Sequence, residues 1–69
     1  MTAAELGKSL LTRRKQLGLI QSHVAELAGI STRQLLDWEA GRGNPSFRQL
    51  QAVLAVLGFS LTIELTPTP

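Results

Sequence analysis

Apolar residues return along the first part of the chain at Leu6, Leu10 and Leu17, the spacing of one helical face. Thr2-Ala3-Ala4-Glu5 stands before them as a capping box, whose hydroxyl and carboxylate satisfy the free amides of a first turn. Gly18 followed by Leu19 is a left-handed stop with its apolar companion. These signals predict a helix from Ala3 to Leu17. A second helix is predicted over Gln21 to Ala28, with Val24, Leu27 and Ala28 inward and Gly29 ending it. Ser31 caps a third, from Thr32 to about Ala40, with Leu35 and Trp38 inward. Ala40-Gly41-Arg42-Gly43-Asn44-Pro45 is a dense turn signal. Ser46 and Gln49 form another capping box, opening a fourth helix that runs to Leu57 before Gly58.

Beyond Gly58 the period changes from helical to alternating. Phe59, Leu61, Ile63 and Leu65 alternate with Ser60, Thr62, Glu64 and Thr66, as a half-buried strand requires. The pattern divides the chain into a helical domain over 1–58, a strand over 59–65 and a Thr/Pro tail over 66–69. A lone strand leaves its amides and carbonyls unpaired, and no second strand is visible in the sequence. Ala52-Val53-Leu54-Ala55-Val56-Leu57 is apolar all the way round its helix. One face would cover the first and third helices, and the rest marks an interface. A homodimer meets both needs, with the strand pairing antiparallel to its copy near Thr62. Val53, Val56, Phe59, Leu61, Thr62, Ile63 and Leu65 are the residues expected at that interface.

The segment from Gln21 to Trp38 fits two helices crossing sharply through a turn of three or four residues. Such a crossing needs a small residue where the helices meet, which Ala25 supplies. It needs a positive backbone dihedral in the turn, which Gly29 accepts. Ile30, Leu35 and Trp38 then pin the second helix of the pair from below, opposite Val24 and Leu27.

Composition narrows the reading. Sixty-nine residues hold one domain. A domain of this size buries only about 60% of its unfolded surface, so its margin of stability is thin. With no cysteine and a single histidine, His23, neither a disulfide nor a zinc site can compensate, leaving oligomerisation. No metal or cofactor is expected. No apolar run approaches the roughly 18 residues of a membrane span, and no signal-peptide pattern opens the sequence. A cytoplasmic protein is the expectation. An enzyme is not, because there is no phosphate loop, no cysteine and no convergent cluster of acids. The net charge of +2 permits a nucleic-acid partner without requiring one.

The run Leu17-Gly18-Leu19-Ile20-Gln21-Ser22-His23-Val24-Ala25-Glu26-Leu27-Ala28-Gly29-Ile30-Ser31, continued by Leu35-Leu36-Asp37-Trp38-Glu39-Ala40-Gly41-Arg42, resembles the Xre/Cro-type helix-turn-helix repressors. The resemblance covers roughly Leu6 to Gly58. It departs at Ile20, where the family usually places Thr or Ser to cap the second helix. The strand after the fourth helix makes the chain similar to the HipB-like antitoxin regulators. That resemblance implies a mainly α fold, a four-helix Xre/lambda-repressor-like domain with a C-terminal β-strand pairing across a homodimer. It also implies repression of the protein's own operon and a HipA-type kinase toxin as partner.

Candidate site residues follow from the motif. The first residues of a recognition helix reach base edges, which assigns Thr32, Arg33, Gln34 and Asp37 to base reading. Arg33 suits guanine O6/N7, Asp37 can accept from cytosine N4, and Thr32 can touch a thymine methyl. Gln21 opens the second helix, and the resemblance implies that it binds phosphate and braces the recognition helix. Ser22, Arg42 and Arg13 are further phosphate candidates, with Lys15 on the same basic rim and His23 a bystander. Arg14 falls on the apolar stripe of the first helix and needs a partner. Glu39 is the natural one, and the resemblance implies the same pair. The resulting expectation is a sequence-specific repressor of double-stranded DNA bound to a palindromic operator. The alternatives are a toxin-neutralising module that binds DNA weakly and a stand-alone repressor without a toxin.

Overall fold

A computed structural model describes residues 1–67. Four helices make up the regular structure among these residues: α1 (Ala3–Gln16), α2 (Gln21–Ala28), α3 (Thr32–Glu39) and α4 (Phe47–Val56). Leu17, Ala40 and Leu57, expected as last helical residues, are instead the C-caps of α1, α3 and α4. At the start of α1, Glu5 N–H donates to Thr2 Oγ1 and Thr2 N–H to Glu5 Oε1, each at 3.1 Å. At its end, Gly18 N–H reaches the Lys15 carbonyl at 3.0 Å and Leu19 N–H the Arg14 carbonyl at 3.1 Å. These two bonds are those of a Schellman end, and they turn Leu19 back towards the core.

The core consists of Leu10, Val24, Ala25, Leu35, Trp38, Val53, Leu54 and Leu57, with Leu6, Leu19, Ala28, Ile30, Leu50 and Val56 packed against it. Two inward expectations are corrected. Leu17 stands 41% exposed, because α1 ends before it and Leu19 takes the place beneath. Leu27 is 60% exposed. The buried arc of α2 is rotated toward Ala25, where backbones cross closely, and this swings Leu27 outward together with Ile20. The backbone of α4 approaches α2 rather than covering α1 and α3, although Val53 and Leu57 still reach the same core as Leu10.

The close contact of α1 with α3 depends on Gly7, a residue the hydrophobic pattern passes over. A Cβ there would overlap the Trp38 carbonyl oxygen and lie 2.8 Å from that of Glu39. Glycine alone lets the first helix seat on the end of the third.

From Phe59 to Pro67 no strand forms within the described chain. A strand exists through its ladder, and a single chain offers this segment no partner. Phe59 and Leu61 lie at a groove beside Met1, Leu6 and Leu54, whereas Ile63 and Leu65 are 93% and 101% exposed. Thr66 and Pro67 of the tail are exposed, and Thr68 and Pro69 lie outside the described residues.

Candidate nucleic-acid interface

The turn between α2 and α3 begins at Gly29, which takes φ 73°. Its amide donates to the Glu26 carbonyl at 3.2 Å and that of Ile30 to the Ala25 carbonyl at 3.0 Å. A side chain in this left-handed conformation would be strained, so glycine sets the angle at which α3 leaves. Ser31 caps α3: its Oγ accepts from Gln34 N–H at 3.0 Å, and Gln34 Oε1 accepts from Ser31 N–H at 2.9 Å. Leu35 and Trp38 bury one side of α3. Thr32, Arg33 and Leu36 are exposed and Asp37 is half-buried.

A second layer fixes α3 from behind. Arg14 Nε donates to Glu39 Oε2 at 2.7 Å and its second nitrogen, Nη2, to Oε1 at 3.0 Å, so the pair is bidentate. The remaining nitrogen, Nη1, donates to the Leu19 carbonyl at 2.9 Å. Gln21 Nε2 adds a third donor to the same carboxylate, reaching Oε1 at 2.9 Å. Hydrogen bonding to Glu39 pushes the Arg14 pKa up, against the opposing effect of burial. The network joins α1, the α1–α2 linker, the start of α2 and the end of α3 through the Arg14 guanidinium and the Glu39 carboxylate.

In the same last turn of α3, Asp37 Oδ1 lies 3.2 Å from an Arg42 guanidinium nitrogen and 3.5 Å from Arg33 Nε. The loop carrying Arg42 is drawn onto the helix, with Arg42 N–H donating to the Asp37 carbonyl at 2.7 Å. Gly43, at φ 86°, lies flat against the Trp38 indole, where an added Cβ would stand 2.9 Å from Cδ1.

The sequence-derived site residues therefore separate into groups. Arg33, Asp37 and Arg42 form one cluster, and Thr32 is exposed at the start of the helix. Gln34 spends its side-chain oxygen on the helix cap. Ser-Thr-Arg-Gln repeats the spacing of Thr2–Glu5 and Ser46–Gln49, so the same capping signal predicts this role. Gln21 is tied to Glu39, while Ser22 and His23 are exposed beside it. Ile20, the N-cap of α2, makes no side-chain hydrogen bond to the helix. Arg13 lies elsewhere: its Nε donates to the Leu57 carbonyl at 2.9 Å and closes the end of α4. Arg48, which no sequence motif singles out, is an exposed cation in the first turn of α4. No group of three His, Cys, Asp or Glu side chains that could hold a metal occurs among the described residues. No helix of the described chain is long and apolar enough to cross a membrane.

A family model described as helix-turn-helix matches residues 10–63. The chain belongs to the helix-turn-helix family, of the Xre type. An uncharacterized HTH-type transcriptional regulator of Haemophilus influenzae is 38% identical over 56 residues, covering 81% of this chain and 57% of the relative. The uncharacterized HTH-type transcriptional regulator y4mF of Sinorhizobium fredii is 34% identical over 62 residues, covering 90% of this chain and 82% of the relative. The chain thus spans little more than half of the first relative's length and most of the second's. Among solved structures, a chain of the HipA-HipB-O2-O3 complex superposes with a TM-score of 0.83 at 24% identity. The match covers 97% of this chain and 94% of that one, and it establishes a shared helix-turn-helix fold.

Proposed function

We propose that this regulator is a HipB-like antitoxin that represses its own promoter as a homodimer and binds a HipA-like kinase. The observation that carries the DNA-binding part is the exposed side of α3, where Arg33 and Arg42 meet at Asp37 away from the buried Leu35 and Trp38, with Thr32 exposed at the start of the helix. In a helix-turn-helix that side enters the major groove, and the residues at its start reach base edges. Arg33 reads a base in this account, and Arg42 holds a backbone phosphate from the loop that follows. Gln21 and Ser22 meet phosphate at the start of α2, where the helix dipole favours an anion. Two recognition helices about one DNA turn apart then occupy a palindrome and block the promoter.

The toxin-binding part rests on the fold likeness to a chain of the HipA-HipB-O2-O3 complex over nearly the full length. A second reading, a stand-alone repressor, draws support from both curated relatives, whose descriptions are those of transcriptional regulators alone.

Two experiments test the proposal. In gel shifts on the protein's own promoter, Arg33→Ala should lose about 1–3 kcal/mol and relax preference at one base pair. Arg42→Ala should weaken all sequences alike and lower the salt slope by about one. An unchanged sequence preference in Arg33→Ala would place base reading elsewhere. Co-expression with a HipA-like kinase encoded beside the gene decides between the two readings: a complex surviving gel filtration supports the antitoxin, and separate elution supports the stand-alone repressor.

A further inference from the structure

Arg33 and Arg42, two cations on the side of α3 proposed to meet DNA, converge on a single carboxylate oxygen, Asp37 Oδ1, at 3.5 and 3.2 Å. They reach it from opposite directions in the chain. Arg33 lies one helical turn before Asp37, and Arg42 lies five residues after it. The second arm is held independently of the carboxylate. Arg42 N–H is bonded to the Asp37 carbonyl at 2.7 Å, and Gly43 is pressed against Trp38. The loop therefore presents Arg42 to Asp37 whether or not the ion pair forms. Asp37 itself is half-buried, its side chain 28% exposed, while the two arginines are 75% and 60% exposed. The anion is the more buried partner and the cations the more exposed ones.

We infer that Asp37 is a specificity-determining residue that works by competition: its carboxylate competes with any DNA for the Arg33 and Arg42 guanidiniums, and a cognate site, which offers Arg33 a base edge, competes best. This rests on the proposed DNA-binding side of α3. A DNA phosphate or a guanine edge must take each arginine away from a neighbouring carboxylate. It must also tolerate that negative charge close to the backbone. A cognate groove offers Arg33 a bidentate partner as compensation, and charge-assisted bidentate bonds are the strong ones. Random DNA offers phosphates alone, so the carboxylate penalises it more. Asp37 thus lowers affinity for most of the genome more than affinity for the operator. It need not touch a base to do so, unlike the cytosine contact expected from the sequence.

The test is Asp37→Asn, which keeps the shape of the side chain and removes its charge. Binding is measured as a function of salt on two probes: a random-sequence duplex, and a duplex selected from a random pool by the wild-type protein. On random duplex the variant should bind about two- to fivefold tighter, because exposed ion pairs are individually weak. Its log–log salt slope should steepen by about one, the signature of one further phosphate neutralised. On the selected duplex it should gain less or lose, so the ratio between the two probes falls. Asp37→Glu restores the charge and should return the random-duplex slope to that of the wild type. An unchanged random-duplex slope in Asp37→Asn overturns the inference. So does a loss confined to the selected duplex with relaxed preference at one base pair, since Asp37 would then read a base directly. If the wild type itself shows no salt-dependent binding to either probe, the DNA-binding assignment of α3 fails instead.

Discussion

Arg14 and Glu39, 25 residues apart in sequence, meet through two nearly parallel hydrogen bonds with their side chains only 11% and 5% exposed. The pair stands at the junction of α1 and α3, and Gln21 brings α2 to the same carboxylate. At roughly 0.05–0.15 kcal/mol per residue, a domain of this length has about 3–10 kcal/mol of stability in all. Removing one partner of a buried pair leaves an uncompensated charge and costs about 3–5 kcal/mol. Glu39→Gln or Arg14→Met alone should therefore remove a large part of the domain's stability. A double-mutant cycle in urea should give a coupling of about 2 kcal/mol or more. A coupling near zero would show that the two side chains are solvated independently.

Gly7→Ala should destabilise the fold despite improving the intrinsic preference for helix. Alanine gains about 1 kcal/mol over glycine in a helix interior. The added methyl, however, overlaps the Trp38 carbonyl oxygen, and backbone atoms cannot turn aside as a flexible side chain can. Overpacking of this kind costs about 1–3 kcal/mol, and this case belongs at or above the upper end. Thermal unfolding of the variant should show a lower midpoint. A raised midpoint would mean that α1 can slide off the end of α3 without loss.

Acid should weaken the start of α1. Hydrogen bonds from Thr2 hold the Glu5 carboxyl below the usual carboxylate range. A group depressed in the folded state contributes its stability above its unfolded pKa and loses it as pH falls through the folded value. Between about pH 7 and about pH 3, wild-type midpoints should therefore fall more steeply than those of Glu5→Gln, which keeps an acceptor but no charge. Parallel curves would show that the capping box contributes nothing through its charge.

The helices were legible because their ends are marked chemically. Thr2, Ser31 and Ser46 each begin a helix, and Gly18, Gly29 and Gly58 each follow one. The rotation of α2 was not legible. In eight residues, Val24, Ala25, Leu27 and Ala28 define an apolar arc wide enough for two phases, and the approach of a neighbouring helix decides between them. Leu27 lost its inward place to that choice. Gly7 sent a weaker signal, since a glycine inside a helical pattern is costly and asks for a packing reason. The reason itself, a carbonyl of α3, belongs to the tertiary structure alone.

The recognition side was legible as a set of residues and not as a geometry. Period and caps place Thr32, Arg33 and Asp37 on the helix. The convergence of Arg33 and Arg42 on Asp37 depends on how the Gly41–Gly43 loop folds back onto Trp38. Arg13 shows the opposite outcome. Its charge suggested a place on the basic rim, yet the unsatisfied carbonyl at the end of α4 claims it.

The last prediction concerns residues 59–65, which we propose form the strand that pairs two copies of the chain. In the single chain this segment has no ladder, and its apolar residues grow more exposed along it, from 38% at Phe59 to 93% at Ile63 and 101% at Leu65. Four apolar side chains alternating with polar ones are costly to leave in solvent, and a paired ribbon resting on the helices would cover them. Two-fold symmetry makes the pairing antiparallel about its centre, which the length of the segment places near Thr62. A two-stranded ribbon is marginal alone, so it must rest on the helices, and the groove beside Phe59, Leu61 and Leu54 offers the contact. Val56, half-buried on α4, would extend it, while Val53 is already fully buried in the core and can support the interface only from beneath. Proline lacks the amide that a paired central position uses. Thr62→Pro should therefore give monomers at micromolar concentration in sedimentation velocity, with the helical circular dichroism signal retained and cooperative DNA binding lost. If the variant still sediments as a dimer, the helices alone make the interface and the strand is incidental to it.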